Sequence, residues 1–386
     1  MSKLNLKKKI CVITGSRADY GILSRLLVKL NKNFDLKVIA TGSHLSNKFG
    51  YTLNDIKSDN VKIYKKIKVI DNDDSGQGIL NSLTNSINKF SKVFKKNKID
   101  LLIVLGDRYE VFGACIAASV MRIKIAHIHG GETTSNSIDE IFRHSISLMS
   151  HFHFVAAKKY KEKVSQLAKN IKNIFLVGSL SVANIKKLKL KKNETLLKYK
   201  LNPLKKRIFL QHHSETLDNN QGKNGFLNCL AVLKKYKNYE IVATLSNADE
   251  GHDFFNKKLK EYKKLNKNFY LLKSIKYEDY LAILKSCDFI IGNSSSGIIE
   301  APSLSVPTVN IGLRQDGRLR ARSIYDASDT IVSIENNIKL ALKFNKKRKI
   351  KNFYDHGDSV HKILKVLRSL HDGKNLKNFY FKSKKL

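Results

Sequence analysis

Short, almost unbroken runs of Val, Ile and Leu alternate with longer amphipathic stretches along most of this 386-residue chain. Apolar runs without polar alternation are typical of strands in a parallel sheet that helices cover on both faces. The pattern restarts after Leu201-Asn202-Pro203, and the chain is longer than one hydrophobic core usually serves. The sequence therefore predicts an α/β protein with two doubly wound, Rossmann-like domains.

The predicted strands lie at residues 10–14, 36–40, 62–67, 101–105, 124–129, 152–156 and 174–177, and then at 207–211, 240–244, 269–272, 289–291 and 308–311. Helices are predicted at 21–31, 81–95, 110–121, 226–236, 254–265, 277–285 and near 359–371. We expect a first domain at 1–178, a second at 179–355, and a final helix with a basic tail at 356–386.

The charge of the chain is strongly positive, because 72 Lys and Arg residues against 33 Asp and Glu give a formal net charge of +39. Such a charge can indicate a nucleic-acid-binding protein. The lysines occur in nearly every segment, however, and they accompany abundant Asn and Ile, as a coding bias toward A and T would produce. We therefore expect no specific nucleic-acid partner, although a diffuse positive field would still attract an anionic substrate.

No run of 18 apolar residues occurs, so we expect no membrane-spanning helix. The basic and then apolar start, MSKLNLKKKICVITG, leads straight into a polar loop, which favours a first strand over a signal peptide. The four cysteines, Cys11, Cys115, Cys229 and Cys287, form no CxxC pair, so reduced thiols are expected rather than a zinc or redox site. Together these features predict a cytoplasmic protein.

Small, polar or charged residues follow six of the predicted strands. They are GSR at 15–17, GSH at 42–44, GDR at 106–108, HGGE at 129–132, HHSE at 212–215 and GNS at 292–294. Ligands of doubly wound sheets bind at the carboxyl ends of the strands. The recurrence of such residues at one topological position predicts a single ligand-binding cleft between two domains.

The segment GNSSSGIIEAP follows a predicted strand and opens a helix. Its glycines would allow close backbone approach, its serines place hydroxyl and amide groups at a helix N-terminus, and a glutamate one turn later suits a ribose. These residues are Gly292, Gly297, Ser294, Ser295, Ser296 and Glu300. A plain serine N-cap is the structural alternative. The chain lacks GxGxxG and GxxxxGK[ST], so we expect no nicotinamide cofactor and no P-loop reaction.

Acidic residues and histidines cluster in two other segments. Asp107 follows an apolar strand in VLGDRYE, and residues 127–145, HIHGGETTSNSIDEIFRHS, contribute His129, Glu132, Asp139 and Arg143. Such clusters shift pKa values toward acid–base use, although helix capping and a surface ion pair are the structural alternatives. The ligands of an HxHxxE metal site would all come from one tight loop, so we expect no metal.

Residues in other loops complete the set of candidates. They are Arg17, His44, His213, Asn247, Arg314 and Arg318. The arginines would suit a phosphate or a diphosphate. Arg17, His44 and His213 are each, taken alone, more often structural than catalytic, and a solvated basic loop is the structural alternative for Arg314 and Arg318.

In their order, the motifs SRADYG, GSHLS, GDRYE, HIHGGE, IDE..RHS, H.ET, GNSSSGIIEAP and GLRQDGR resemble the hydrolysing UDP-N-acetylglucosamine 2-epimerases. Within that family the chain is most similar to bacterial enzymes of sialic- and legionaminic-acid-type sugar synthesis. The likeness runs from about residue 8 to about residue 370. It implies a GT-B fold, in which two Rossmann-like domains face a cleft and the C-terminal helix crosses back.

The resemblance implies a reaction that needs no metal and no tightly held cofactor. A base removes the C2 proton of the sugar while UDP leaves from C1, which produces a 2-acetamidoglycal. Water then adds to C1, and a proton returns to C2 on the opposite face. The products are UDP and a free N-acetylmannosamine-type sugar. The expected partners are the UDP-sugar and further copies of the chain, in a homodimer or homotetramer.

The family's functional residues carry over by motif. The proton-transfer residues match Asp107, Glu132 and Asp139, and the group that faces the diphosphate matches His213. First-domain active-site positions match Arg17 and His44. The nucleotide-binding positions match Ser294, Ser295, Gly297 and Glu300, with Glu300 on the ribose.

Three positions depart from the family pattern. His129 stands where some relatives have glutamate, Asn136 where glycine is usual, and Ser214 where proline often follows the histidine, which makes His212 a rival of His213. A GT-B glycosyltransferase and a basic, non-catalytic binding protein remain alternative functions. The motifs do not distinguish UDP-N-acetylglucosamine from UDP-N,N'-diacetylbacillosamine, or UDP from GDP, and they leave open which carboxylate is the base.

Overall fold

A computed structural model of the chain describes residues 7–168, 171–273, 275–347 and 350–370. Its backbone forms two parallel sheets with helices packed against them, which confirms the predicted α/β architecture. The basic tail beyond residue 370, including the end of the predicted last helix, lies outside the described residues. Within the described residues, no helix has both the length and the apolar content that crossing a membrane requires.

The first sheet contains seven strands: β1 (Lys9–Thr14), β2 (Asp35–Thr41), β3 (Ile63–Ile67), β4 (Leu101–Leu105), β5 (Lys124–Ile128), β6 (Phe152–Val155) and β7 (Ile174–Leu176). Their order across the sheet is β3-β2-β1-β4-β5-β6-β7. The helices of this half are α1 (Arg17–Asn33), α2 (Leu53–Ser58), α3 (Gly76–Lys95), α4 (Tyr109–Val120), α5 (Asp139–Met149) and α6 (Lys158–Ala168). Short 3-10 helices occupy Gly42–Leu45, Asn47–Phe49 and Ile171–Asn173.

The second sheet contains six strands: β8 (Arg207–Gln211), β9 (Glu240–Thr244), β10 (Phe269–Leu272), β11 (Phe289–Gly292), β12 (Thr308–Ile311) and β13 (Ile324–Ala327). Their order is β10-β9-β8-β11-β12-β13. The remaining helices are α7 (Leu180–Ile185), α8 (Lys192–Lys198), α9 (Lys223–Leu233), α10 (His252–Leu265), α11 (Tyr277–Ser286), α12 (Ser295–Ile299), α13 (Ile331–Leu342) and α14 (Ser359–Ser369), with a 3-10 helix at Ala301–Leu304.

Continuous apolar strands form because both faces of each sheet are covered. All five residues of β4 are buried, and the leucines of α1 pack in one cluster with Ile10 and Val12 of β1, while Cys11 and Ile13 belong to a cluster on the other face. Burying one such side chain contributes about 1.5–3 kcal/mol, so a strand of five of them is stable only between two helical layers. β13 was not predicted, because three residues of its IYDA sequence are partly or fully exposed and no apolar run marks it.

Helix α14 returns to the first half of the chain. Its buried residues Val360, Ile363, Leu364 and Leu367 belong to the same hydrophobic cluster as β1 and α1. The 3.6-residue periodicity of these four positions places them on one helix face. The predicted GT-B arrangement, with a C-terminal helix that crosses back, is therefore confirmed.

Candidate active site

The carboxyl ends of the two sheets meet at a cleft of about 320 Å³. In each sheet the strand order reverses at the centre, between β1 and β4 and between β8 and β11, and ligands of such folds bind at this reversal. Loops of both sheets line the cleft, as the sequence predicted.

Most of the predicted site residues lie in the lining of the cleft. They are Arg17, Asp107, Asp139, Arg143, His213, Asn247, Ser294, Ser295, Ser296, Glu300, Arg314 and Arg318. The lining does not include five others, namely His44, His129, Glu132, Gly292 and Gly297. These five lie in the layer of residues beneath the lining, and their contacts with other protein groups explain why they do not face the cleft.

The segment that follows β11 forms the wall of the second domain. Ser294 caps α12, and its hydroxyl accepts a hydrogen bond from the amide of Ser296 at 3.3 Å. The Tyr280 hydroxyl bonds to the hydroxyl of Ser296 and to Gln211 Oε1, the latter at 3.0 Å. Glu300 is buried at the end of α12, and burial raises the pKa of its carboxyl. The hydroxyls and amides of this wall are suited to a phosphate or a ribose.

Gly292 and Gly297 shape this wall without touching the cleft. Gly292 has φ +128°, and a Cβ atom there would overlap the carbonyl oxygen of Gln211 on the neighbouring strand. A Cβ atom at Gly297 would stand 2.6 Å from Cγ2 of Thr308. Gly292 therefore permits close packing of β11 on β8, and Gly297 permits close packing of α12 on β12.

The ring of His213 is held in one tautomer. Its Nδ1 lies 3.2 Å from the amide nitrogen of Asn247, which can only donate, and 3.1 Å from the hydroxyl of Ser246. Burial, reinforced by the charge of Arg314, lowers the pKa of His213 to about 3. The ring is thus neutral, Nδ1 is the acceptor, and Nε2 carries the hydrogen that a ligand in the cleft would accept.

The neighbouring His212 points the other way. Its ring stacks on Phe255 with centroids 5.6 Å apart, and it also contacts Phe226 at 5.3 Å. Neither of its ring nitrogens has a hydrogen-bond partner, and it is absent from the lining of the cleft. The structure therefore brings His213, and not its rival, to the cleft.

Four buried histidines should make the fold sensitive to acid. Burial is the main cause that lowers the pKa of His44, His212 and His213 to about 3, and that of His127 to about 4. In the unfolded chain these rings take up protons below about pH 6.5, whereas the folded protein does not. Stability is therefore complete above that pH and is lost as the pH falls, by about 1.4 kcal/mol per histidine for each pH unit.

We expect His212→Phe to weaken this acid sensitivity, because it removes one titrating ring that makes no hydrogen bond. Thermal unfolding followed from pH 7 to pH 5 should show a shallower loss of stability than in the unaltered protein. The variant should keep its turnover, whereas His213→Phe should lose it. An unchanged pH dependence in His212→Phe would contradict the burial argument.

Asp107 follows β4 and pairs with Arg143 of α5 across the floor of the cleft. Arg143 also donates to the carbonyl of Glu132 at 3.0 Å and to the hydroxyl of Thr134 at 3.1 Å. The sequence spacing allowed an ion pair between Asp139 and Arg143 on one helix face. The structure instead turns Arg143 toward Asp107, while Asp139 bonds to the hydroxyl of Ser137 at 2.9 Å.

Glu132 is buried behind the cleft rather than in its lining. It pairs with Arg318 of the second domain and lies 3.0 Å from Nδ1 of His129. Burial opposes its charge, yet Arg318 and His129 together hold the pKa of its carboxyl below the usual range. Neither Glu132 nor His129 belongs to the lining of the cleft, and Glu132 contacts that lining through Arg318.

His44 also lies behind the cleft. Its ring nitrogens bond to the hydroxyls of Thr14 at 2.9 Å and Thr52 at 2.6 Å, so the ring fastens the first two loops of the sheet together. His127 is likewise occupied, by the hydroxyl of Ser147 at 3.0 Å and the carbonyl of Gly106 at 2.7 Å. A ring whose two nitrogens are already bonded is a poor metal ligand, which weakens the HxHxxE alternative.

Four charged residues of the cleft, Asp19, Arg108, Asp249 and Lys273, were not among the sequence candidates, and Arg108 and Asp249 meet across it. Arg108 of the first domain binds Glu110 at 2.7 Å and reaches Asp249 of the second domain at 3.3 Å. Asp249 also approaches Arg314 at 3.5 Å. Arg108 and Asp249 each come after an apolar strand, which is the signal that located the other candidates. No pattern in the sequence shows that their side chains meet.

Among the described residues, Asp74, His252 and Asp253 have ligand atoms near enough to share a metal ion. Their own contacts already satisfy much of this group. Asp253 pairs with Lys48 at 2.8 Å, and His252 Nδ1 lies 2.9 Å from the carbonyl oxygen of Asp249. The group joins the two domains, because Asp74 of the first contacts His252 and Asp253 of the second.

Comparison with known proteins decides the family. The family model described as UDP-N-acetylglucosamine 2-epimerase matches residues 28–368. The chain belongs to this family. Two relatives that are similar to this chain are named as hydrolysing 2-epimerases. The chain is therefore an enzyme of that kind.

The relatives cover most of the chain. Polysialic acid biosynthesis protein P7 of Escherichia coli is 42% identical over 86% of this chain and 84% of its own length. GDP/UDP-N,N'-diacetylbacillosamine 2-epimerase (hydrolyzing) of Campylobacter jejuni is 36% identical, over 83% and 84% respectively. The UDP-N,N'-diacetylbacillosamine 2-epimerase (hydrolyzing) of Legionella pneumophila is 31% identical, over 94% and 96%.

Solved structures of other epimerases share the fold. The UDP-GlcNAc 2-epimerase of Neisseria meningitidis, bound to UDP-GlcNAc, aligns with a TM-score of 0.78 at 20% identity, over 93% of this chain and 99% of its own. The Methanocaldococcus jannaschii enzyme in complex with UDP-GlcNAc and UDP aligns with the same TM-score, identity and coverage. Both confirm the two-domain GT-B architecture.

Proposed function

We propose that this epimerase converts UDP-N-acetylglucosamine, or its N,N'-diacetylbacillosamine counterpart, and water into UDP and a free N-acetylmannosamine-type sugar. The observation that carries the proposal is the composition of the cleft between the two sheets. Its second-domain wall offers serine hydroxyls, amides and Glu300, while its first-domain floor offers Asp107 and Asp139. A nucleotide bound at the second-domain wall would place its sugar near Asp107 and Asp139.

Proton transfer is assigned to two of the carboxylates that line the cleft, Asp107 and Asp139. They differ in their surroundings. Arg143 pairs with Asp107, whereas Asp139 bonds to the hydroxyl of Ser137, and burial and the nearby charge of Asp249 raise the pKa of Asp139. Two carboxyls in different surroundings suit a reaction in which one group removes a proton and another returns one to the opposite face. Glu132 contributes by holding Arg318 rather than by touching the sugar.

Departure of UDP needs stabilisation of the charge that develops on the diphosphate. The C2 proton is only weakly acidic, so its removal must be coupled to that departure. The N–H of His213, the guanidinium groups of Arg17 and Arg314, and the amides at the start of α12 all line the cleft. Fixed donors of this kind stabilise developing charge at little reorganisation cost. Glu300 is assigned to the ribose.

The decisive experiment follows the reaction by NMR in deuterated water. The protein is incubated separately with UDP-N-acetylglucosamine, UDP-N,N'-diacetylbacillosamine and their GDP counterparts. Release of free nucleotide together with a manno-configured sugar carrying deuterium at C2 is the expected result. Nucleotide release without deuterium at C2 would overturn the epimerase proposal. Transfer of sugar only when an acceptor is added would support the glycosyltransferase alternative.

The released sugar would serve sialic- or legionaminic-type sugar synthesis in the cytoplasm. The name of the E. coli relative, a polysialic acid biosynthesis protein, supports the sialic-type route. The names of the Campylobacter and Legionella relatives contain N,N'-diacetylbacillosamine, which supports the legionaminic-type route. The four cysteines are free and buried, as expected in a reducing compartment. The nucleotide sugar that turns over fastest in the NMR experiment decides between the routes.

A homo-oligomer is proposed from an apolar surface on α4 and α5. Ile141 and Leu148, two turns apart on α5, are 59% and 38% exposed, and Val120 at the end of α4 is 74% exposed. The opposite face of α5 carries Asp139 and Arg143. Exposed apolar side chains in one region of a surface are typical of contacts between subunits, and a second copy would cover them in a two-fold dimer.

Light scattering at micromolar concentration should therefore report a dimer or a tetramer. Leu148→Lys should shift the protein to a smaller species, because it places a charge in the apolar contact. Leu204→Lys is the matched control, since Leu204 is 94% exposed and lies far from α5 in sequence. A monomeric unaltered protein, or equal effects of the two substitutions, would refute this interface.

A further inference from the structure

Residues 133–138, which lead from the first sheet into α5, reach the second domain. The side-chain amide of Asn136 donates to Oε2 of Glu215 at 2.7 Å, and the backbone N–H of Ile138 donates to the hydroxyl of Thr216 at 2.9 Å. Both acceptors belong to the H.ET motif, in which only the histidine has been given a role so far. The last two residues of the motif therefore bind the segment that precedes a proposed proton-transfer residue.

The same segment also packs closely against another loop of the second domain. The backbone N–H and the hydroxyl of Ser135 donate to the carbonyl oxygen of Asp316 at 3.2 and 3.4 Å. Gly317 has φ +84°, and a Cβ atom there would overlap the side chain of Thr133. The contact between the segment and the second domain thus extends over several residues.

The acceptor for Asn136 is fixed by the residues that orient His213. Glu215 is only 4% exposed, and its carboxylate accepts from the backbone N–H of Leu313 and the side-chain amide of Asn293, both at 3.3 Å. Asn293 in turn accepts from the backbone N–H of His213 at 2.7 Å and donates to its carbonyl at 2.9 Å. One hydrogen-bond network therefore joins the histidine of the leaving-group side to the 133–138 segment.

Helix α5 begins without a side-chain cap from its own segment. Its N-cap residue is Ile138, and the third helical position, whose side chain accepts from the N-cap N–H in a capping box, is Ile141, which cannot accept. Thr216 of the second domain supplies that acceptor instead. Asp139 is the first residue of the helix, and its carboxylate bonds to the hydroxyl of Ser137 at 2.9 Å. The second domain thus completes the first turn in which Asp139 stands.

We propose that Thr216 and Asn136 are positioning residues of the reaction: their hydrogen bonds across the two domains hold the start of α5, and with it Asp139, in place for proton transfer. The inference rests on the proposed function, because Asp139 is one of its proton-transfer residues. Neither Thr216, Asn136 nor Glu215 belongs to the lining of the cleft, so they act through Asp139 rather than on the ligand. The carboxylate is placed when the domain that carries His213 lies against the first.

The first test is Thr216→Val, which removes the hydroxyl and keeps the shape of the side chain. We expect kcat for sugar release to fall by at least about tenfold, because displacement of a reacting group is costly. UDP affinity, measured by calorimetric titration, should stay within about threefold. Thr216→Ser keeps the hydroxyl and should retain most of the original kcat. Asn136→Ala should lower kcat less than Thr216→Val, since the bond from Ile138 remains.

The matched control is Asp253→Asn, which weakens a different contact between the domains. Asp253 pairs with Lys48 at 2.8 Å and is absent from the lining of the cleft, so kcat should not change. A double variant tests whether Thr216 acts through Asp139. In an Asp139→Asn background, Thr216→Val should cause little further loss of the single-turnover rate, because residues that act as a unit are not additive.

An unchanged kcat in folded Thr216→Val, an equal loss in Asp253→Asn, or the same loss repeated in the Asp139→Asn background would overturn the inference. A fall in UDP affinity as large as the fall in kcat would overturn it as well. If Thr216→Val does not fold, an unchanged kcat in Asn136→Ala has the same consequence. Absence of epimerase turnover in the unaltered protein would instead refute the proposed function.

Discussion

Replacing Asp107 by Asn should reduce kcat by about 10³-fold while UDP affinity stays within about threefold. The substitution keeps the size of the side chain and removes its charge. Arg143 would retain its bonds to the Glu132 carbonyl and the Thr134 hydroxyl, so the floor of the cleft should keep its shape. Calorimetric titration with UDP and NMR measurement of sugar release would separate binding from turnover.

The control for this experiment is Asp355→Asn. Asp355 also pairs with a basic side chain, Lys186, but it is absent from the lining of the cleft. Its removal should leave kcat unchanged, because a surface ion pair contributes about 1 kcal/mol or less to stability. Loss of UDP affinity with retained turnover in Asp107→Asn would contradict the role assigned to that carboxylate.

Replacing Gly292 by Ala should destabilise the second domain by more than about 3 kcal/mol. The residue pairs with Gln211 in the register of β8 and β11, and the new Cβ would meet the Gln211 backbone in a region of φ that only glycine adopts easily. The two central strands would have to separate. His213 and Ser294 follow these strands directly, so UDP affinity should fall together with stability.

Gly357→Ala is the matched control for the backbone effect. Gly357 also has a positive φ, +86°, but nothing lies within 4 Å of the position that a Cβ atom would take. The cost there should be about 1 kcal/mol, which is the conformational penalty alone. Thermal and urea unfolding, with UDP titration of each variant, would compare the two glycines. Similar losses at both sites would show that packing against Gln211 is not the cause.

Prediction from the sequence worked best where a signal is local. Apolar runs located twelve of the thirteen strands in the described part of the chain, and β13 was missed because its partly exposed IYDA carries no such run. The start of α1 was predicted late, since Ser16 caps a helix that already begins at Arg17. Propensity and periodicity fade at helix ends, where a single side-chain hydrogen bond decides the first turn.

The sequence alone determined the two-domain architecture, the position of the cleft at the strand ends and the serine-rich segment that follows β11. These depend on residues close together in the chain. Only the tertiary structure decided that His213 faces the cleft while His212 packs on phenylalanines. It also decided that His44 and Glu132 lie beneath the lining of the cleft. The contact between Arg108 and Asp249, which are 141 positions apart in the chain, was visible only there as well. Periodicity specifies which face of an element is buried, but not which charged side chain on another domain will lie opposite.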